Sequence, residues 1–198
     1  RINPSAFVLV TGCYAQRDRG VLEALPEIDM VLGNEDKSKI VSKVLSRLSI
    51  DNVSENDNYQ TFDLSGSYMA KTLTRRMIKI QEGCDQICSY CIVPKVRGRE
   101  RSVTVDKLIL DVNQASTQGA KEVVLTGTQL GTYGFDLYGA SLPRMIESLL
   151  HNSEIERIRI SSIQPQEFTT ELLELWGDRR MCPHFHIPLQ SGSNKILK

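Results

Sequence analysis

The chain has 198 residues, 40% of them apolar and 24% charged, with 24 basic and 24 acidic side chains that leave no net charge. That balance fits an ordinary globular chain of one large or two small domains, and it gives no global argument for a nucleic-acid or membrane partner. Five cysteines is an odd count and three of them are crowded together, which argues against a disulfide framework and predicts a reduced, cytoplasmic setting.

In chain order, Ala6–Val10 reads as a short buried strand, Thr11-Gly12-Cys13 as a turn, and residues 16–25 as a helix packing Val21, Leu22 and Leu25. Asp29–Leu32 is a second strand, and Ile40, Val41, Val44, Leu45 and Leu48 recur at helical spacing. This β-α-β-α order predicts a small α/β layer with a parallel sheet. Residues 50–67 are rich in Asn, Asp and Ser and lack periodicity, which places a domain linker there.

A second β-α series opens with the alternating strand Met77–Ile80 and continues into a cysteine loop and a basic loop, Pro94–Arg101. Val105, Leu108, Ile109, Val112 and Ala115 mark an amphipathic helix with Thr104 as its N-cap. Glu122–Thr126 is a strand ending in the Gly-rich loop Gly127–Gly134, and Leu142, Met145, Ile146 and Leu149 mark the next helix. Arg157–Ser162 is a third strand, Thr169 caps a helix carrying Leu172, Leu173 and Trp176, and Phe185–Leu189 is a fourth strand. A last helix begins near Asn194.

Four strand–helix alternations predict a parallel barrel or a doubly wound sheet, in which functional groups sit on the loops after the strand C-termini. The cysteine loop, Gly127–Gly134, Ser161–Gln164 and Gln190–Ser193 all occupy that position. No run approaches the 18 apolar residues of a membrane span, and the start lacks a signal peptide's apolar run. The first residue is Arg1, and the last residues stop inside the expected helix; both predict a piece of a longer protein.

The most informative stretch is Gly83-Cys84-Asp85-Gln86-Ile87-Cys88-Ser89-Tyr90-Cys91, a C-x3-C-x2-C pattern. Three thiolates on a short loop can hold three irons of a cubane cluster and leave the fourth iron open to a small molecule. A zinc site would need a fourth ligand, which Cys182, His184 or His186 would supply only through the fold. Plain core thiols are the third reading. His184 and His186 alternate along one strand, so they share a face and are read as core histidines. Cys182 is read as structural. Between Lys71 and Arg101, eight Lys or Arg stand against three acids. The run Lys95, Arg97, Arg99, Arg101 suits phosphate contacts, a solvated face, or contact with a cofactor carboxylate.

The C-x3-C-x2-C motif with an aromatic before its last cysteine resembles the signature of radical S-adenosylmethionine enzymes. The longer string Lys79-Ile-Gln-Glu-Gly-Cys through Ile92-Val-Pro, with Thr11-Gly-Cys-Tyr-Ala-Gln16 and His186-Ile-Pro-Leu-Gln-Ser-Gly-Ser193, is similar to the methylthiotransferase branch. The resemblance implies an α/β fold: a partial N-terminal α/β (Rossmann-like) domain over 1–50, a linker over 51–74, and the first part of a radical TIM-type partial (βα) barrel over 75–198. It implies Cys84, Cys88 and Cys91 as ligands of a [4Fe–4S] cluster that binds S-adenosylmethionine. Tyr90 would lie near the cofactor's adenine, and Cys13 would be one ligand of a second cluster whose other two cysteines lie upstream; Gln129, Ser161 and Gln190 are expected cofactor contacts from their loops on the expected active face. No catalytic acid or base is singled out. Thr126–Leu137 and Arg157–Pro165 look closest to the branch acting on threonylcarbamoyladenosine in tRNA. The implied partners are tRNA and an electron donor such as flavodoxin or ferredoxin. Isopentenyladenosine in tRNA, or an aspartate of a ribosomal protein, is the alternative substrate, and a ferredoxin-like electron carrier the non-enzymatic alternative.

Overall fold

The computed structural model describes residues 3–48 and 73–198. Nearly all of the expected linker lies outside those residues. The described residues group into two compact units, 3–48 with Gln86–Gly98, and 73–85 with Arg99–Lys198. Among them, no helix is long and apolar enough to cross a membrane.

In the first unit, β1 (Leu9–Thr11) and β2 (Met30–Leu32) pair in parallel, with Val10 opposite Val31. The helix expected over 16–25 is instead two short ones, α1 (Cys13–Arg17) and α2 (Arg19–Glu23). Asp18 breaks the run at φ −127°, ψ 50°, as a side chain that competes for its own backbone does in a helix interior. Only Leu22 of the three expected core residues is buried; Val21 and Leu25 are exposed. The small core joins Ala15, Leu22 and Val31. Helix α3 (Ile40–Arg47) forms where the spacing predicts it. The basic loop differs from expectation, because its first half is a helix, α4 (Val93–Arg97). Pro94 sits in the first turn, where its missing N–H costs nothing, and Gly98, at φ 75°, ends the helix.

The second unit is built on three parallel strands in the order β3 (Arg75–Lys79), β6 (Glu122–Thr126), β7 (Arg157–Ile160). Two helices connect them, α5 (Val105–Thr117) and α6 (Leu142–Asn152). Leu108, Val112 and Ala115 of α5 and Leu142, Met145, Ile146 and Leu149 of α6 are buried against Val123, Leu125, Ile158 and Ile160. Burying each large side chain contributes about 1.5–3 kcal/mol. Thr104 starts α5 without a side-chain cap. Ser141 caps α6, and Thr169 Oγ accepts from Leu172 N at 3.1 Å to start α7 (Thr170–Glu174). A two-residue antiparallel ribbon, β4 (Gln81–Glu82) with β5 (Arg101–Ser102), was not expected. A short helix α8 (Asn194–Leu197) ends the chain.

The expected fourth strand is corrected. Phe185–Leu189 makes only the isolated parallel bridge Ser162↔His186. Phe185 packs on Trp176 at 4.6 Å and Phe168 at 5.3 Å between ring centroids, and Pro188 has no N–H to continue a ladder. His184 and His186 therefore do not share a strand face, and both are exposed.

At the N-terminal edge of the sheet, Arg75, Glu122 and Arg157 are in register. The Glu122 carboxylate, 6% exposed, meets Arg75 and Arg159 at 2.7 Å each. The Arg159 hydrogen bond, outweighing burial, holds it below the ordinary carboxylate range. A depressed pKa stabilises the fold above the unfolded value of about 4.3, and that contribution is lost as pH falls through the folded value. Glu122→Gln should therefore lower stability by about 2 kcal/mol at neutral pH, with a smaller difference at about pH 3. Thermal melts of both proteins at the two pH values check this; a gap that widens in acid would contradict it.

Candidate functional site

The chain leaves β3 through Ile80, whose N–H donates to Thr126 O at 2.8 Å, and then enters β4 at Gln81. Gln81 is 1% exposed. Its Nε2 donates to Gly83 O at 3.0 Å, and its Oε1 accepts from Thr128 N at 2.9 Å and Gln129 N at 3.0 Å. Gly83 has φ 78°, a turn that glycine makes without strain. One amide thus ties the start of the cysteine loop to the loop after β6.

That second loop is held on its far side as well. Gln129, 7% exposed, hydrogen-bonds Glu167 through Nε2 and accepts from Gln164 Nε2 at 3.2 Å. Gln164 N donates to Glu167 Oε2 at 3.1 Å. Burial pushes the Glu167 carboxyl up, so its two amide neighbours serve a group that resists ionisation. Thr132 Oγ donates to Glu100 Oε2 at 2.7 Å, and burial pushes Glu100 up too. Tyr133, fully buried, donates to Val103 O at 2.6 Å, and burial pushes its pKa up to about 12. Thr128 Oγ1 is buried and has no hydrogen-bond partner among the described residues.

Parts of three of the four expected loops therefore meet at the C-terminal end of the sheet: the start of the cysteine loop, entered through Gln81, the loop Gly127–Gly134, and Ser161–Gln164 with the following Glu167. Ser161, half-buried, donates its N–H to Leu125 O at 3.1 Å at the end of β7. Ser162 shares a 2.8 Å hydrogen bond with His186. Gln190 is exposed and, at φ 63°, is the one non-glycine residue with positive φ among the described residues; such outliers concentrate at functional sites.

None of the five cysteines is joined in a disulfide. Cys84 follows Gly83 in the second unit, while Cys88 and Cys91, joined by a Cys91 N to Cys88 O turn at 3.1 Å, belong with the first, as does the exposed Tyr90. Among the described residues, no three His, Cys, Asp or Glu side chains are gathered as a ready metal centre. Arg99 pairs with Asp85 at 2.8 Å and depresses that carboxylate.

Cys13 opens α1 in the first unit. Arg97 of α4 hydrogen-bonds its sulfur, and this, outweighing burial, lowers the thiol pKa. Asn34 adds to the effect and donates Nδ2 to Val96 O at 2.7 Å. Gln16 Oε1 accepts from Asn34 N at 2.9 Å. A thiol so placed is inclined to the thiolate that metals bind. Cys182 is the opposite case: it is 5% exposed and burial pushes its pKa up.

Gln81, Glu100, Gln164 and Glu167 escape sequence reasoning. A signal existed for one pair only, since Gln164-Pro165-Gln166-Glu167 has the spacing of a capping box. The other partners lie roughly 30–50 positions apart and leave no local pattern.

Comparison with known proteins gives a family match and a set of relatives. Residues 78–198 match the model of the Radical SAM superfamily. The threonylcarbamoyladenosine tRNA methylthiotransferase of Aquifex aeolicus is 40% identical over 206 residues, covering all of this chain and 49% of that protein. The ribosomal protein uS12 methylthiotransferase of Clostridium kluyveri is 36% identical, covering 96% of this chain and 44% of that protein. The tRNA-2-methylthio-N(6)-dimethylallyladenosine synthase of Thermodesulfovibrio yellowstonii is 32% identical, covering 99% of this chain and 45% of that protein. The chain thus spans about half the length of the relatives it matches.

Proposed function

Because the chain belongs to the radical S-adenosylmethionine superfamily, we propose that it is part of a transferase that adds a methylthio group to N6-threonylcarbamoyladenosine beside a tRNA anticodon. The observation that carries the substrate is the similarity over the whole chain to tRNA methylthiotransferases acting on that nucleoside, at 40% and 37% identity. Superfamily membership brings two cofactors, a [4Fe–4S] cluster and S-adenosylmethionine.

The residues present fit that pair on two counts. Cys84, Cys88 and Cys91 are outside any disulfide, on a loop without helix or strand, and thiolates are the ligands such clusters take. Thr128 Oγ1 is a buried polar atom left without a partner on the facing loop. In this reading ordering of the cysteine loop and binding of its metal are one equilibrium. Held by Cys84, Cys88 and Cys91, such a cluster would supply the one-electron reduction of S-adenosylmethionine from which radical chemistry starts.

The chain's own residues supply placement and enclosure. Gln81 and Gly83 fix where the cysteine loop begins. The Gln129–Gln164–Glu167 cluster closes the side between the loops after β6 and β7, keeping water from a site where a radical would attack any accessible C–H. Tyr90, Gln129, Ser161 and Gln190 are proposed cofactor contacts. Cys13, held toward thiolate by Arg97, is proposed as one ligand of a second cluster in the intact protein. Arg97 and Arg99 already serve Cys13 and Asp85, so Lys95, which is exposed, is the better candidate for a phosphate contact in tRNA. A flavodoxin or ferredoxin is the proposed electron donor, and the cytoplasm the proposed compartment.

The cofactor reading is tested by anaerobic reconstitution of the intact protein and electron paramagnetic resonance with and without S-adenosylmethionine. The reduced spectrum should change on addition, and 5′-deoxyadenosine should form; a spectrum blind to the cofactor sinks the reading. The substrate is tested by mass spectrometry of tRNA nucleosides and ribosomal protein from cells lacking the gene. The methylthio group should vanish from threonylcarbamoyladenosine. Its loss from ribosomal protein alone defeats the assignment.

A further inference from the structure

We propose that Gln81 is a positioning residue whose amide sets the spacing between Cys84 and the turn Gly127–Gln129, and through that spacing how tightly S-adenosylmethionine is held. The inference rests on the reading of the cysteine loop as a cluster site.

Ile78 is buried and Lys79 exposed, so strand alternation puts Ile80 inside and Gln81 outside. Yet Ile80 is 0% and Gln81 1% exposed. A buried amide is unfavourable unless its donors and acceptor are used. Here they are used mainly on backbone groups of two different loops: one donor on Gly83 O, and one acceptor on the N–H groups of Thr128 and Gln129, with a further side-chain hydrogen bond to Glu100. A Met or Leu would fill the space but make none of these bonds. An Asn would be one methylene too short to span the same groups, about 1.5 Å.

The surroundings are shaped to the same contact. A Cβ on Gly127 would lie 3.1 Å from Gln81 Oε1 and 3.2 Å from Gln81 Cβ, so glycine is what lets the turn approach. Cys84 is one residue from the bonded Gly83 carbonyl, and the orphaned Thr128 hydroxyl belongs to one of the two bonded amides. Displacing this side chain therefore moves a proposed cluster ligand and the facing turn apart together, whereas a residue that only filled the core would move neither selectively.

The test uses Gln81→Met in the intact, anaerobically reconstituted protein. Iron per chain should match wild type. The S-adenosylmethionine concentration that half-converts the reduced cluster's paramagnetic spectrum should rise about tenfold, the order expected from losing one buried hydrogen bond. Wild-type affinity in a Gln81→Met protein that carries its cluster overturns the proposal. Hydrogen–deuterium exchange on metal-free protein decides the case if the variant takes up no iron. Peptides covering Gly83–Asp85 and Gly127–Leu130 should both exchange about tenfold faster, with α6 unchanged, for the same lost bond. A response in one segment only, or in neither, refutes the coupling. A wild-type spectrum indifferent to S-adenosylmethionine would remove the functional reading instead, and the exchange result would still decide whether Gln81 couples the two loops.

Discussion

Replacing Cys88 with alanine in the intact protein is expected to empty the cysteine loop of iron and, on the function proposed above, to reduce methylthio transfer to background. Three thiolates holding three corners are the fewest that leave one iron open; two leave a cluster edge to solvent. Loss of a group that merely supports a metal ligand typically costs 10–100-fold in affinity, so loss of a ligand should cost at least about a hundredfold. Cys182→Ser is the control. Its thiol is buried and kept protonated, so it is a packing group and its replacement should leave iron content unchanged. Iron per chain and the visible absorbance of reconstituted protein measure both. Unchanged iron in Cys88→Ala would remove Cys88 from the ligand set, and loss of iron in Cys182→Ser would revive the zinc-like reading in which Cys182 completes a site.

The part of the fold legible from sequence is the part whose burial is one-sided. Leu108, Val112 and Ala115, and then Met145, Ile146 and Leu149, recur at helical spacing because one stripe of each helix faces the sheet. Between them Val123–Leu125 is a continuous apolar run, as a strand covered on both faces must be. Where burial is slight the pattern misleads. Val21 and Leu25 have helical spacing but face solvent, and Asp18 breaks the helix that would have aligned them. Phe185 and Ile187 alternate like a strand, yet Phe185 is satisfied by Trp176 and Phe168. The ribbon of β4 and β5 has two residues on each side, too few for any period to register.

The candidate site divides in the same way. The cysteines stand out in the sequence because three thiols of one type, closely spaced on one short loop, are the pattern that metal chemistry asks for. Cys13 is legible only through its surrounding string, and its physical support, Arg97, lies 84 positions away. Gln129 is legible as a polar residue in a Gly-rich loop, but its side chain turns out to bind Glu167 and Gln164. Those bonds tie two loops together, and seeing that requires knowing the partners. Gln81 is the extreme case: it looks like the solvent-facing residue of an alternating strand, and only the fold reveals an amide bonded to two loops.

The glycines of the loop after β6 separate into kinds that sequence cannot distinguish, and Gly134→Ala is the second large effect expected. Gly134 has φ 90°, and a Cβ there would lie 2.7 Å from Ala140 C and 2.8 Å from Ala140 O. Both are backbone atoms, so no rotamer change relieves the contact. Strain in the left-handed region costs about 1–3 kcal/mol and overpacking a further 1–3 kcal/mol, roughly 2–6 kcal/mol together and a drop in melting temperature on the order of 10 °C for a protein of this size. Gly139, at φ 70°, has nothing within 4 Å of the point where a Cβ would stand, so Gly139→Ala carries the strain alone, about 1 kcal/mol and roughly 3 °C. The damage at Gly134 should also reach the site, because its N–H donates to Ser102 Oγ at 2.9 Å and the buried Tyr133 precedes it. Moving this segment pulls the loop Gly127–Gly134 away from β5 and loosens the turn that Gln81 holds. Melting curves of the two alanine variants test the argument: if they fall within a degree of each other, the close approach to Ala140 contributes nothing, and strain at positive φ accounts for both.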